Sequence, residues 1–321
     1  MPKRSWFSRC GLLVGLLALP YALATGCGGG SGNSGTVNSP RILVAPTHFV
    51  TIDGPGGGAT TVNGMNNSLT LVGFTSTGGV NANFLRNATG AFTPLTFGDP
   101  AAMANGVNAS GTVVGGADGH AFQLLNGVLQ TITPPGSSSS VAFGVNDLGT
   151  VVGQSVAPTL GTTPGFSLTR GQFGTVSPPP GALATVVNAQ GVNNSGAVVG
   201  FFSTDGTHQH GFLQYLTTLI TVVLPDPSTP RLATDPLVLT QFLAVNNNSV
   251  AVGYYQTQSG SQFGFMFDLV QQKYLFLDAP LAAPVDGVQI TQITGIDDSD
   301  DICGFFIDAA GVQHGFLATM Q

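Results

Sequence analysis

A ten-residue string recurs six times along this chain, and its spacing constrains the fold more than any other feature. The copies are "GMNNSLTLVG" from Gly64, "GVNASGTVVG" from Gly106, "GVNDLGTVVG" from Gly144, "GVNNSGAVVG" from Gly191, "AVNNNSVAVG" from Ala244 and "GIDDSDDICG" from Gly295. Their starts lie 42, 38, 47, 53 and 51 residues apart. Such intervals are too long for the rungs of a β-helix and suit units of several strands each. A second landmark follows each copy at Phe84, Phe122, Phe166, Phe212, Phe265 and Phe316, and an alternating apolar stretch such as "LQTITPPG" or "YLFLDAP" then runs into Pro.

Each unit therefore offers four short strands, A to D. Strand A leads into the motif, B is its "VVG" end, C carries the Phe, and D stops at Pro, which cannot extend a hydrogen-bonded ladder. Between A and B, Asn or Asp in the first turn position accepts hydrogen bonds from backbone amides, and Gly in the fourth supplies left-handed backbone. The repeated asparagines are thus architecture, because neutral amides are weak metal ligands and poor acid–base groups. Composition agrees: 42% of residues are hydrophobic, 7% are charged, and there are 46 Gly and 20 Pro. The acidic residues are all Asp. Without Glu, and with few Lys, the chain lacks helix formers, while its Val, Thr and Phe favour strands.

The sixth unit ends at "HGFLATMQ" without a strand D, and residues 48 to 55, "HFVTIDGP", carry the missing pattern. An N-terminal strand that completes the last unit closes a ring and removes exposed sheet edges. The expected fold is all-β: a six-bladed β-propeller of four-stranded blades over residues 41–321, a single domain closed by the N-terminal strand pairing with the last C-terminal blade.

Before the repeats, Lys3, Arg4 and Arg9 flank the apolar run "CGLLVGLLALPYALA". That run is short for a membrane span and has the layout of a secretory signal, so residues 1–26 are read as a lipoprotein-type signal peptide. The following "LATGC" resembles the bacterial lipobox, which makes Cys27 the lipid-bearing residue, although Ala24 stands where Leu is usual. Residues 27–40, rich in Gly and Ser, form a flexible linker. The expected location is the cell envelope, as an outer or outer-surface membrane lipoprotein or a secreted protein. Cys303 is then the one thiol left in the folded region, in a place held by Val in most copies, and reads as a buried apolar group. After maturation five basic residues (Arg41, Arg86, Arg170, Arg231, Lys273) face fifteen Asp, about −10 in net charge. That balance argues against nucleic acid and anionic lipid as partners, leaving the lipid anchor as the membrane attachment.

The recurring "GVNNSGxVVG" with a downstream "HGFL" resembles the HAF family of bacterial extracellular repeats, named for a His-Ala-Phe tripeptide that occurs here as His120, Ala121 and Phe122. The resemblance covers all six units. It departs at "NAN" before Phe84 and at Ala244 and Ser249, which replace Gly. What it implies is an exported β-repeat protein, and it carries no activity to transfer.

Chemical candidates are few. His120, His210 and His314 share one place, two residues before the Phe, and read as structural. His208 joins His210 in "HQH", two imidazoles on one strand face without a third ligand. Asp297, Asp298, Asp300 and Asp301 form the densest charge and are the candidates for calcium, but their spacing fits no calcium loop, so a solvated turn is expected and no metal or cofactor. Aromatic pairs Phe201 and Phe202, Tyr254 and Tyr255, and Phe305 and Phe306 are placed at the starts of B to C links, as candidates for a ligand face that stacks on sugar or peptide or, alternatively, as packing between blades. Those links and the long D to A connections vary on one face, where a scaffold carries function. The expected function is a binding or structural module with an unknown protein or glycan ligand. The alternative is an envelope polysaccharide hydrolase or lyase using that variable face, although Asp is the sole carboxylate type for the acid and base roles.

Overall fold

Branched and aromatic residues alternate along each unit, and successive segments pair into antiparallel ladders that bury one set of side chains per face. The structure, a computed structural model, describes residues 41–320 apart from 159–160, 178–183, 206–207, 216–217 and 222–229. The expected signal peptide (1–26), Cys27 and the linker (27–40) lie outside the described residues.

Six four-stranded sheets form the six blades. Strand A spans Ala59–Met65, Met103–Val107, Ser139–Val145, Val186–Val192, Leu237–Val245 and Thr291–Ile296 in blades 1 to 6. Strand B spans Leu71–Thr77, Val113–Ala117, Val151–Val156, Ala197–Ser203, Val250–Thr257 and Ile302–Ile307. Strand C spans Val80–Arg86, His120–Leu125, Gly165–Thr169, His210–Tyr215, Gln262–Asp268 and Gln313–Thr319. Strand D spans Phe92–Leu95, Val128–Ile132, Gln172–Val176, Thr218–Thr221 and Lys273–Leu277, and in blade 6 it is His48–Ile52 from the N-terminal side. The protein is an all-β, six-bladed propeller closed by that strand. Phe49 lies opposite Ala318 and Thr51 opposite Phe316, and the rings of Phe49 and Phe316 stack at 5.0 Å.

The two glycines of the motif have separate causes. Strand A carries a bulge one residue before the first motif position, Gly in five blades and Ala244 in blade 5, at Asn63, Asn105, Phe143, Gln190, Leu243 and Thr294. There the inner strands of neighbouring blades nearly touch: a Cβ on Gly144 would sit 2.6 Å from the Gln190 carbonyl oxygen and 3.2 Å from Gly191 Cα. The closing Gly lies opposite the bulge and beneath the strand C Phe, so a Cβ on Gly200 would collide with the Asn188 carbonyl oxygen and lie 3.0 Å from the Phe212 ring. In the turn, the fourth residue is left-handed whatever its identity, at Gly111, Gly149 and Gly196 and also at Leu69, Ser249 and Asp300. Three blades thus accept a strained non-Gly residue where the geometry favours Gly.

The core is divided into six clusters, each spanning one blade interface. The closing interface between blades 6 and 1 gathers Ile52, Val62, Met65, Leu71, Phe84, Leu317 and Cys303. Cys303 is fully buried there, and burial pushes its thiol up to about 12. It is a packing group, because a thiol that stays protonated is no nucleophile.

Candidate functional site

The bulges build the site. An inserted residue leaves the ladder and is re-aimed, and in this ring the six inserted residues turn toward the axis. With neighbours on strands A and B they line a funnel of about 320 Å³, the size class of a small-ligand cleft. Its wall combines the amides of Asn63, Asn105, Gln190 and Gln292 with the rings of Phe74, Phe143 and Phe305. Below it, Met65, Val107, Val145, Val192, Val245 and Ile296 form an apolar collar. Strand A runs from the D to A links toward the collar, so the funnel opens on the face of the variable connections. Backbone bonds across those links, such as Asn81 N to Pro100 O at 2.8 Å and Gln258 N to Pro236 O at 2.8 Å, place the B to C and D to A links on that one face.

The amides are held in fixed orientations with unused valences facing the funnel. Asn63 Nδ2 donates to Ala104 O at 3.0 Å and to Asn105 Oδ1 at 3.1 Å, and Asn105 Nδ2 donates to Ala142 O at 2.9 Å. Gln190 Nε2 donates to Asn188 Oδ1 at 2.9 Å, and Gln292 Nε2 to Gln262 Oε1 at 2.6 Å. Their own carbonyl oxygens, Asn63 Oδ1, Gln190 Oε1 and Gln292 Oε1, accept no hydrogen bond from the described protein. Among the described residues the lining contains no titratable side chain, and these residues supply no general acid or base.

Past the collar, two belts of hydrogen bonds circle the axis at the A to B turns. In the inner belt each Asn serves twice: Asn193 Oδ1 accepts from the Ser195 and Ala197 amides, and Asn193 Nδ2 donates to the next blade's Asn246 O at 3.0 Å. The same donation runs from Asn66 to Asn108, Asn108 to Asn146, Asn146 to Asn193, and Asn246 to Asp297. In the outer belt, backbone amides of Ala109, Asp147, Asn194, Asn247 and Asp298 each donate to the side chain one blade on, ending at Asn67. The turn role of these asparagines was legible in sequence; their second role, lacing blade to blade, was not.

The aromatic pairs lie within strand B rather than at the starts of links. Phe202, Tyr255 and Phe306 are at most 5% exposed and belong to the clusters between blades 3 and 4, 4 and 5, and 5 and 6. Phe201 and Tyr254 are each 7% exposed. Adjacent strand residues point to opposite faces, so the second aromatic of each pair packs against the neighbouring blade. Phe305 alone of the six lines the funnel, joined by Phe74 and Phe143, which the link argument overlooked.

The aspartate cluster is dispersed and, apart from Asp298, buried rather than solvated. Asp297 Oδ1 caps its own turn through the Ser299 and Asp301 amides, and Asp298 belongs to the outer belt. Asp300 accepts from Asn246 Nδ2 at 3.0 Å and pairs with Arg41, while Asp301 accepts from the Met320 amide at 2.7 Å. The turn is covered because it carries both belts and receives the segment around Arg41. Among the described residues no group of three His, Cys, Asp or Glu is arranged to hold a metal. His208 pairs with Asp205 at 2.6 Å, whereas the His210 ring lies on Phe202 at 5.4 Å.

His314 has a structural task. Its Nδ1 meets Asp53 at 2.6 Å, its Nε2 meets Asp308 at 3.2 Å, and its ring stacks on Phe306. Burial draws its pKa down, but the bonds to Asp53 and Asp308 together outweigh burial and leave it raised. A raised folded value means that the stabilisation is complete below the unfolded value, about 6.5, and is lost as pH rises through the folded one. His314→Gln is therefore expected to cost about 1 kcal/mol near pH 5.5 and less near pH 9 in urea denaturation. An equal cost at both pH values would refute the charged pairing.

The sequence matches no protein-family model and no curated protein. Among solved structures, TolB from Acinetobacter baumannii superposes with a TM-score of 0.50 at 9% identity, over 84% of this chain and 66% of that one. SapL1 lectin, solved with alpha methyl fucoside, gives 0.49 at 14% identity over 82% and 94% of the two chains. A six-bladed propeller lectin of Aleuria aurantia gives 0.45 at 10% identity over 81% and 95%. At 9% identity the likeness to TolB is one of fold.

Proposed function

We propose that this chain is an exported, lipid-anchored binding module of the cell envelope, in line with its HAF-like repeats, and that it takes its ligand at the funnel mouth. The observation that supports the binding role is the set of oriented amides around an open cleft of about 320 Å³, in which the carbonyl oxygens of Asn63, Gln190 and Gln292 accept no hydrogen bond from the described residues. Pre-oriented polar groups in a concave, partly apolar wall fix the position of a ligand. Because the described residues of the wall include no carboxylate or imidazole, retention rather than turnover is the chemistry they offer. A tether on Cys27 would keep that mouth at the envelope, and the acidic exterior would keep nucleic acid away.

Two measurements test the two halves. Cells fed labelled palmitate are expected to yield labelled protein, and Cys27→Ala is expected to abolish the label; secretion of unlabelled wild-type protein refutes the anchor. Envelope extract passed over immobilised protein is expected to leave a bound component that Gln190→Ala and Gln292→Ala release. Retention of nothing, or turnover of a polysaccharide, refutes the binding module.

A further inference from the structure

We infer that the funnel binds an uncharged saccharide, a sugar unit seated between the amides of Asn63, Asn105, Gln190 and Gln292 and the rings of Phe74, Phe143 and Phe305. This rests on the binding-module reading above and names its ligand class. Three features of the wall converge on it.

The first is charge. None of the described lining side chains is ionised, and a charged ligand entering a partly desolvated cleft without a counter-charge loses its hydration uncompensated. The second is polarity. Asn63 Oδ1, Gln190 Oε1 and Gln292 Oε1 have no partner among the described residues, and Asn105, Gln190 and Gln292 each keep an N–H beyond the one they donate to those residues. A purely apolar ligand would strip water from these groups and leave them unpaired, at a cost in affinity. The wall thus presents both acceptors and donors at fixed places, matching hydroxyl groups, which donate and accept at once. The third is shape. Phe74 and Phe305 occupy equivalent strand B positions in adjacent blades 1 and 6, directly after the closing Gly, and give one side of the mouth an aromatic wall. The C–H face of a pyranose covers such rings while its edge hydroxyls reach the amides. An uncharged peptide would meet some of these groups, but its backbone has one donor and one acceptor per residue, in a pattern the scattered amides do not repeat.

Saturation-transfer NMR and calorimetry on the full chain, with neutral oligosaccharides, their sulfated or uronic-acid counterparts and short uncharged peptides, test the inference. Neutral oligosaccharides are expected to bind. Gln190→Ala and Gln292→Ala are each expected to weaken binding about three- to tenfold, with melting temperatures unchanged because both side chains are only partly buried. Phe305→Leu, which keeps an apolar side chain, is expected to weaken it through loss of the ring face. Binding of acidic sugars or of peptides in preference to neutral sugars, weakened by these variants, overturns the uncharged-saccharide class while leaving the binding module standing. Neutral-sugar binding that none of the variants alters overturns the funnel as the site. Absence of binding to every probe overturns the inference, and retention of an envelope component in that case keeps the module.

Discussion

A chain that begins at residue 56 is expected to melt at least about 10 °C below one that begins at residue 41, or to lose its cooperative transition. The two chains differ by residues 41–55, the strand that completes blade 6 together with the segment of Arg41, which pairs with Asp300, and Leu43, which packs on the cluster between blades 5 and 6. His48–Ile52 pairs along its whole length with Gly315–Thr319, so its removal strips five residues of partners from strand C. Ile52 is 2% exposed, and Phe49 stacks on Phe316 and meets Phe306 edge-on at 5.9 Å. Burying a side chain such as Ile52 fully is worth about 1.5–3 kcal/mol, and the partly buried Phe49 adds to that. The same cut removes Asp53 from His314 and opens the cluster that holds Phe84, Leu317 and Cys303. A bare strand edge also invites pairing with other chains. A peptide of residues 41–55 added in trans is expected to restore part of the lost melting temperature. If the shortened chain melts where the longer one does, the terminal strand is an ornament and the ring does not depend on it.

The ring was legible because turn chemistry and strand period are local. "NNSG" specifies its own bend, the Phe marks strand C, and the six copies set the number of blades. The displaced strand D was found as a pattern missing from one end and present at the other. The funnel was hidden for a physical reason: the residue before the first Gly is Asn, Asn, Phe, Gln, Leu or Thr, which looks like tolerance, and the bulge that turns it toward the axis appears only once strands A and B are paired. Variation in one column beside the nearly constant first residue of the motif was the available signal. The aromatic pairs were open to two readings, a ligand face or packing between blades, and strand alternation decides for packing at Phe202, Tyr255 and Phe306, which enter blade interfaces. Lacing by Asn side chains was hidden likewise, since it joins residues 38 to 53 positions apart.

Asp297→Asn is expected to stabilise the protein at alkaline pH by up to about 3 kcal/mol, raising its melting temperature by about 5 °C near pH 8. The inner belt explains why. Five blades place an amide where Nδ2 donates to the next carbonyl, but blade 6 has Asp297, whose Oδ1 caps the turn as the asparagines do and whose Oδ2 therefore stands in the place of Nδ2. The next carbonyl, on Asn66, accepts from Leu69 N at 3.0 Å and receives no donation from blade 6 among the described bonds. A carboxylate facing it can offer a hydrogen only when protonated. Burial of Asp297, 4% exposed, pushes its pKa up to about 6; the charges of Asp301 and Asp298 add to this, against the pull of the Ser299 and Asp301 amides. Blade 5 contributes Asn246, and the nearby Arg41 is engaged by Asp300. Since the folded value lies above the unfolded one, stability is intact below about pH 4 and falls as the pH rises through about 6. At neutral pH and above, the ionised group costs up to about 3 kcal/mol, which the amide removes while it supplies the missing donor. The variant is thus expected to melt well above wild type near pH 8 and to converge on it near pH 4, where the protonated carboxyl closes the belt itself. Asp297→Ala separates charge from donor, because it removes the repulsion together with the turn cap, and it is expected to melt below Asp297→Asn at every pH. Parallel melting curves for wild type and Asp297→Asn across the pH range would mean that Asp297 does not hold the belt open.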